Sequence, residues 1–490
     1  MKMSTKHSVS VWSLVALIIG STVGAGIFSL PQNIASAAGP GAMLIGWAIT
    51  AVGMLSIAFV FQILAVRKPY LDSGVYSYVR AGLGDFIGFA SAWGYWLGSV
   101  IAQVGYATLF FGTLGHYVPL FSAENRWVSV ISVSVLTWAI FGMLTLGVKQ
   151  AAFMNLVATV AKLLPIIAFI LLVAFLGFSW DKFTADFWGT FSGTGSVFDQ
   201  VKGTMLFTVW VFIGVEGASV YSKQAKSRAD VGRATILGFF AVLVLLVSIT
   251  TLTYGVLTQQ ELAALPDNSM ASVLTAVVGP WGGALISLGL CLSVLGAYVS
   301  WQMLAAEPVA MMAYDGLLPK ALGKITSTGA PWAAQLVSTI SIQLWVVVFF
   351  VSETAYTSMV QLATVLYLVP YLFSAVYLVL LVVRGRGISH PHAGERFDDS
   401  GPVVDKRTNR KHLVVGVLAM IYSLWLFYAA DPVYVLYGAL AVLPGLIPYV
   451  WTRIAAKERV FNAFEWVVVA LIVVASAVAV LGIAQGALEL

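Results

Sequence analysis

Two short stretches of this chain could do chemistry with backbone rather than side chains. Ser21 to Pro31 reads STVGAGIFSLP, and Thr208 to Gln224 reads TVWVFIGVEGASVYSKQ. Each lies in a long apolar run and carries glycines that loosen a helix: Gly20, Gly24 and Gly26 ahead of Pro31, then Gly214 and Gly217 around Glu216. Interrupting a helix frees N–H groups at the start of one half and C=O groups at the end of the other. A carboxylate suits the positive end of a half-helix after Gly24, and an ammonium suits carbonyls left before Gly214. A zwitterionic amino acid satisfies both. The same glycines could instead let helices pack closely, but a pair of breaks at repeat spacing favours the binding reading.

Three ionisable side chains sit in apolar runs, where charge is costly and marks a candidate for function. Glu216, beside the second break, could gate, titrate or attract a cation, or it could accept hydrogen bonds from Tyr95 or freed amides. Lys162, in ATVAKLLP, could hold a fixed charge, lose its proton or snorkel to the interface. Glu307 precedes Pro308, which is expected to kink its run; it either faces a cytoplasmic pathway or serves a structural partner.

The elements that must position these groups follow from composition. The 490 residues are 60% hydrophobic and only 10% charged, with mean hydropathy +0.93. A soluble domain carries roughly 25% charge, so this is an all-α polytopic membrane protein. Thirteen runs read as spans: 10–36, 40–64, 86–116, 127–148, 153–178, 200–221, 233–257, 279–312, 332–352, 355–383, 412–429, 432–451 and 465–486. Asp431-Pro432 leaves only a very tight turn inside the pair at 412–451. The first run is too long for a signal peptide and reads as a retained span. Alternate loops carry the basic residues, such as Arg67-Lys68, Lys223-Lys226-Arg228 and Lys320-Lys324, which orients the chain with its N-terminus cytoplasmic and its C-terminus outside.

The interrupted runs are the first and the sixth. Spans 1–5 and 6–10 then read as repeats, and an odd repeat length inverts the second copy, as in secondary transporters that hold substrate at broken helices near midplane. The expected fold is a LeuT-like 5+5 inverted repeat plus three C-terminal spans. Its divisions are 1–178, 200–383, a cytoplasmic linker at 384–411 and 412–490. One cysteine, Cys291, excludes an internal disulfide, and the five histidines show no metal-site spacing. The net charge of +5 is read as loop orientation rather than nucleic-acid binding. No nucleophile elbow, HExxH, Walker A or potassium-filter motif is present, which argues against an enzyme or channel.

STVGAGIFSLP, WVFIGVEGAS and the spacing from Trp301 to AYDGLLPK resemble the amino acid–polyamine–organocation transporter superfamily. Within it the chain is most similar to the arginine/ornithine exchangers among basic amino acid/polyamine antiporters. The likeness extends through IGWAITAVGM, LDSGVYSYVRAG and SAWGYWLG, and the thirteen-span count fits that branch. The resemblance implies that Ala25 and Gly26 hold the substrate carboxylate, and that carbonyls at Thr22 or Val23, Trp210 and Ile213 take its ammonium. It makes Trp301 the side chain that stacks on the substrate cation and places Gly98, Ser99 and Gln103 near that group. The last three differ from their counterparts in arginine/agmatine exchangers. Tyr95, Glu216 and Tyr371 match gating positions, and Lys162 matches a lysine that stands where sodium sits in sodium-coupled relatives.

The expected function is antiport of arginine against ornithine at a bacterial-type cytoplasmic membrane by alternating access. The alternatives are a proton-coupled amino acid importer, or an exchanger of lysine, histidine or an amino acid for its decarboxylated amine. No cofactor is expected. The partners are a small cationic amino acid and the lipid bilayer, and a homodimer is compatible with this reading.

Overall fold

The computed structural model describes residues 11–68, 71, 75–122, 125–146, 149–215, 228–327, 329–349, 355–384 and 405–488. Every regular element among them is helical, as a low-dielectric surrounding demands of a backbone that must pair its own polar groups. Nine of these helices are long and apolar enough to cross a membrane, and shorter apolar helices cover Ala161–Gly177, Ser269–Val278 and Trp332–Val348.

The first apolar run is broken where its glycines lie. Helix α1 (Val11–Thr22) stops, Gly24 is extended at φ −93° and ψ −160°, and a 3-10 turn over Ala25–Ser29 leads into α2 (Leu30–Ala35). Pro31 sits in the first turn of α2, where its missing N–H costs nothing. Helices α3 (Pro40–Arg67), α4 (Val75–Leu83), α5 (Asp85–Tyr117), α6 (Arg126–Leu146) and α7 (Lys149–Leu172) follow, then a short α8 (Trp180–Ala185).

Helix α9 (Val197–Trp210) breaks in turn. Beyond Trp210 the N–H of Ile213 reaches the Trp210 carbonyl at 3.3 Å and that of Val215 reaches Phe212 at 3.1 Å, so the ladder tightens to three-residue steps. Gly214 has φ +108°, a conformation open to glycine and strained for other residues. Gly217 and Glu216 lie outside the described residues.

The chain continues as α10 (Arg228–Tyr254), α11 (Gln259–Ala263), α12 (Ser269–Val278), α13 (Pro280–Tyr314), α14 (Trp332–Phe349) and α15 (Ala355–Val383). It ends as α16 (Lys406–Ala429), α17 (Pro432–Val442), α18 (Leu446–Ala455) and α19 (Ala463–Ala484). Asp405 caps α16 through the N–H groups of Arg407 and Thr408, both at 3.0 Å, so this helix starts inside the segment expected as a linker. Most of that segment, 385–404, is outside the described residues. The tight turn at Asp431-Pro432 holds because Asp431 accepts the Val433 N–H at 2.9 Å and Pro432 opens the next helix. Pro308 lies inside α13, which runs on as a helix to Tyr314.

Packing puts the broken backbone at the centre. Helix α1 lies on α10, α5 lies between α13 and α15, and α3 bridges α9 to α16. Every residue from Ala25 to Leu30 is buried. At the end where α5 begins and α13 finishes, Arg80 pairs with Asp85 at 3.0 Å and Asp315 at 2.6 Å, and Arg453 pairs with Asp85 at 3.1 Å. Tyr76 donates to Asp315 at 2.6 Å. Burial alone would lower the Arg80 guanidinium, but Tyr76 and the two carboxylates outweigh it and hold it above its ordinary value. The motifs LDSGVYSYVRAG and DGL therefore meet in one charge cluster.

Candidate functional site: a small cavity between two helix breaks

A cavity of about 10 Å³ lies between the breaks, room for roughly one water molecule. The first break contributes Thr22, Val23, Gly24, Gly26 and Ile27 to its wall, and the second contributes Trp210, Val211 and Ile213. Ala102 and Tyr106 of α5, Leu246 of α10, Trp301 of α13 and Tyr367 of α15 complete it. No charged side chain is among these lining residues.

Of the ten residues expected to hold substrate, Thr22, Val23, Gly26, Trp210, Ile213 and Trp301 line this cavity. Thr22 is 3% exposed, and its hydroxyl has no hydrogen-bond partner among the described residues. Gly26 is obligatory by contact: a Cβ there would run into the Trp210 indole nitrogen. The N–H groups of Ala25 and Gly26 open the 3-10 turn and have no acceptor within it. Trp210 stands near Tyr106, ring centroids 6.2 Å apart, and Trp301 meets Tyr367 edge-on at 6.2 Å.

Ala25 is fully buried behind the wall rather than in it. Gly98, Ser99 and Gln103 also fall outside the lining. A Cβ on Gly98 would press on the Tyr367 ring at 2.9 Å, so this glycine makes room for that tyrosine. Ser99 shares a 2.8 Å hydrogen bond with the Tyr367 hydroxyl and so reaches the cavity through it. Gln103 donates to the Ser99 carbonyl at 3.3 Å and leaves its own side-chain oxygen buried without a partner.

The expected gating residues divide. Tyr95 packs edge-on against Tyr367 at 4.9 Å, directly below the cavity wall. Tyr371 packs instead on Phe61 of α3 at 5.9 Å. Lys162 is 3% exposed and does not snorkel: its Nζ donates to the Gly20 carbonyl at 2.6 Å. In an unbroken helix that carbonyl would accept from Gly24, whose extended backbone removes the donor. Glu307 is exposed on α13 and away from the cavity wall.

Three tyrosines complete the site without having been singled out from sequence. Tyr367 links Ser99, Tyr95 and Trp301. The Tyr106 hydroxyl would lie 3.1 Å from a Cβ on Gly24. The Tyr356 hydroxyl lies 2.8 Å from Ser29 Oγ, just after the first break. A signal was present for two of them. Ser99, Gln103 and Tyr106 fall at i, i+4 and i+7, one face of α5, and Tyr367 precedes Tyr371 by one helical step of four.

Comparison with known proteins adds to this geometry. A profile of the amino acid permease family matches residues 9–430. The L-lysine transport protein of Corynebacterium glutamicum is 69% identical over 99% of this chain and 97% of its own. The arginine/ornithine antiporter of Pseudomonas aeruginosa is 45% identical over 100% of both chains. The arginine/agmatine antiporter of Chlamydia caviae is 35% identical over 94% of this chain and 93% of its own.

Proposed function

Because the chain belongs to the amino acid permease family, within the amino acid–polyamine–organocation superfamily, we propose that it carries cationic amino acids by alternating access through the central cavity. Membership makes it a multi-pass membrane transporter and not an enzyme. The observation that carries the substrate class is the character of the wall. Opened backbone and an unpartnered Thr22 hydroxyl suit the amino acid head, and two indoles suit a cationic side chain through cation–π attraction worth about 2 kcal/mol when desolvated. The cavity is far too small for an amino acid, so binding requires the walls to part.

In this reading the thirteen spans form the inverted repeats 1–178 and 200–383 with three spans added, and the charge cluster around Arg80 faces the cytoplasm. Lys162 holds a fixed positive charge beside the first break and removes the need for sodium. Tyr95 and Tyr367 gate the cytoplasmic side. L-lysine is supported as a substrate by the relative at 69% identity, and arginine-for-ornithine exchange by the relative at 45% over both full lengths.

The test is uptake of labelled lysine and of labelled arginine into proteoliposomes loaded with ornithine, lysine, histidine or buffer, without imposed gradients. Uptake that requires an internal cationic amino acid is the expected result. Uptake into buffer-filled vesicles that rises with an inward proton gradient would replace exchange by proton coupling. No uptake of either amino acid would remove the substrate class.

A further inference from the structure

We propose that a second binding site for the cationic group of the substrate lies in a vestibule above the central cavity, built around Asp267. This inference rests on the reading of the chain as a carrier of cationic amino acids. The vestibule is a cavity of about 550 Å³, within the range of small-molecule sites. It lies where α5 ends and α13 begins, at the opposite end of both helices from the Arg80 cluster.

Among the described residues, Asp267 is the only acidic side chain in its wall, and no hydrogen-bond donor or cation pairs with it. Burial pushes this carboxyl up from the usual carboxylate range, as expected of a charge short of a counter-ion. Two further acceptors beside it lack partners: the Thr113 hydroxyl, on a residue 5% exposed, and the Asn268 side-chain oxygen. The Asn268 amide is spent on Ser287 at 3.0 Å, which leaves that oxygen turned to accept. Three acceptors without a donor are what an ammonium, with three N–H groups, or a guanidinium, with five, would satisfy.

The vestibule also has a direction. Thr108 and Leu109 in its wall follow Tyr106 on α5, and Tyr106 lines the central cavity. Tyr356 stands against Ser29 of the first break, its hydroxyl 2.8 Å from Ser29 Oγ. The two cavities are therefore neighbours along α5, with Tyr106 in the wall of the inner one. A cation drawn into a cleft lined by one sign of charge is concentrated there and arrives faster. His116 also lines the vestibule and is exposed at its mouth.

The experiment compares KM for labelled lysine and arginine from each face of the membrane, in right-side-out and inside-out vesicles, at low and high salt. Asp267→Asn is expected to raise KM from the vestibule face by about tenfold at low salt. It should flatten the salt dependence there, shift the maximal rate much less, and leave KM from the other face alone. Asp267→Glu should stay near the parent. An unchanged KM and salt slope in Asp267→Asn overturns the vestibule site, as does an equal rise from both faces. Should Asp267→Asn fail to reach the membrane, His116→Lys carries the test. A new cation at the exposed mouth should raise KM from that face alone, and no rise overturns the site. A parent protein that carries neither amino acid from either face removes the central reading and this one together, whereas a transporting parent with an indifferent Asp267→Asn removes only this one.

Discussion

Thr22 ends α1 with its hydroxyl buried in the cavity wall and bonded to nothing among the described residues. A buried hydroxyl without a partner costs about 1–3 kcal/mol, and a substrate ammonium would recover that cost. Thr22→Val keeps the shape and removes the acceptor. It is expected to raise the Kd for lysine or arginine about ten- to a hundredfold, since hydrogen bonds to charged groups are worth about 1.5–3 kcal/mol; unchanged binding would free Thr22 of this role. Trp301 offers a second handle at the same scale, because its indole lines the cavity and meets Tyr367. Tryptophan fluorescence should quench on addition of substrate, and the quench should vanish in Trp301→Leu together with most of the affinity. A Trp301→Leu protein that binds as tightly as the parent would sink the stacking role.

The broken first span works as an element because something outside it pays for the break. Gly24 takes its N–H out of the ladder, the Gly20 carbonyl loses its donor, and Lys162 of α7 supplies one at 2.6 Å. The ammonium also sits where a helix end is negative, which favours a cation. Lys162→Met leaves that carbonyl buried and unpaired, a loss of about 1–3 kcal/mol, and removes the charge that ties α7 to α1. The expected outcome is a lower melting midpoint for the purified protein and little transport, with Lys162→Arg retaining more of both. Transport at the parent rate with an unshifted midpoint would show that the bond is dispensable. The parent should also transport equally with and without sodium.

Across the whole molecule, the Arg80–Asp85–Arg453 cluster ties the helices after residue 430 to those before it. Arg453 is 5% exposed and Asp85 6%, and Arg453 also pairs with Glu458 and donates to the Arg459 carbonyl at 2.8 Å. The family profile ends at residue 430, so the cluster joins α17–α19 to the part of the chain that the profile covers. Breaking a buried pair costs about 3–5 kcal/mol. Arg453→Ala should fall at the low end because Arg80 still holds Asp85. A melting midpoint equal to the parent's would mean that the final helices are held by apolar packing alone.

The sequence by itself determined the membrane class, the places of both breaks and six of the residues that meet in the cavity. Composition sets burial in lipid, and glycine and proline act on the backbone within a few residues of themselves. It also marked Lys162, because a charge in an apolar run must find a partner wherever the fold places one. Only the tertiary structure decided what that partner is, since Gly20 and Lys162 are 142 positions apart. The same holds for Gly98 and Ser99, which meet Tyr367 of the cavity wall, and for Tyr371, which packs on Phe61. Periodicity shows which residues share a face of one helix, but which helix that face meets depends on packing between segments far apart in sequence.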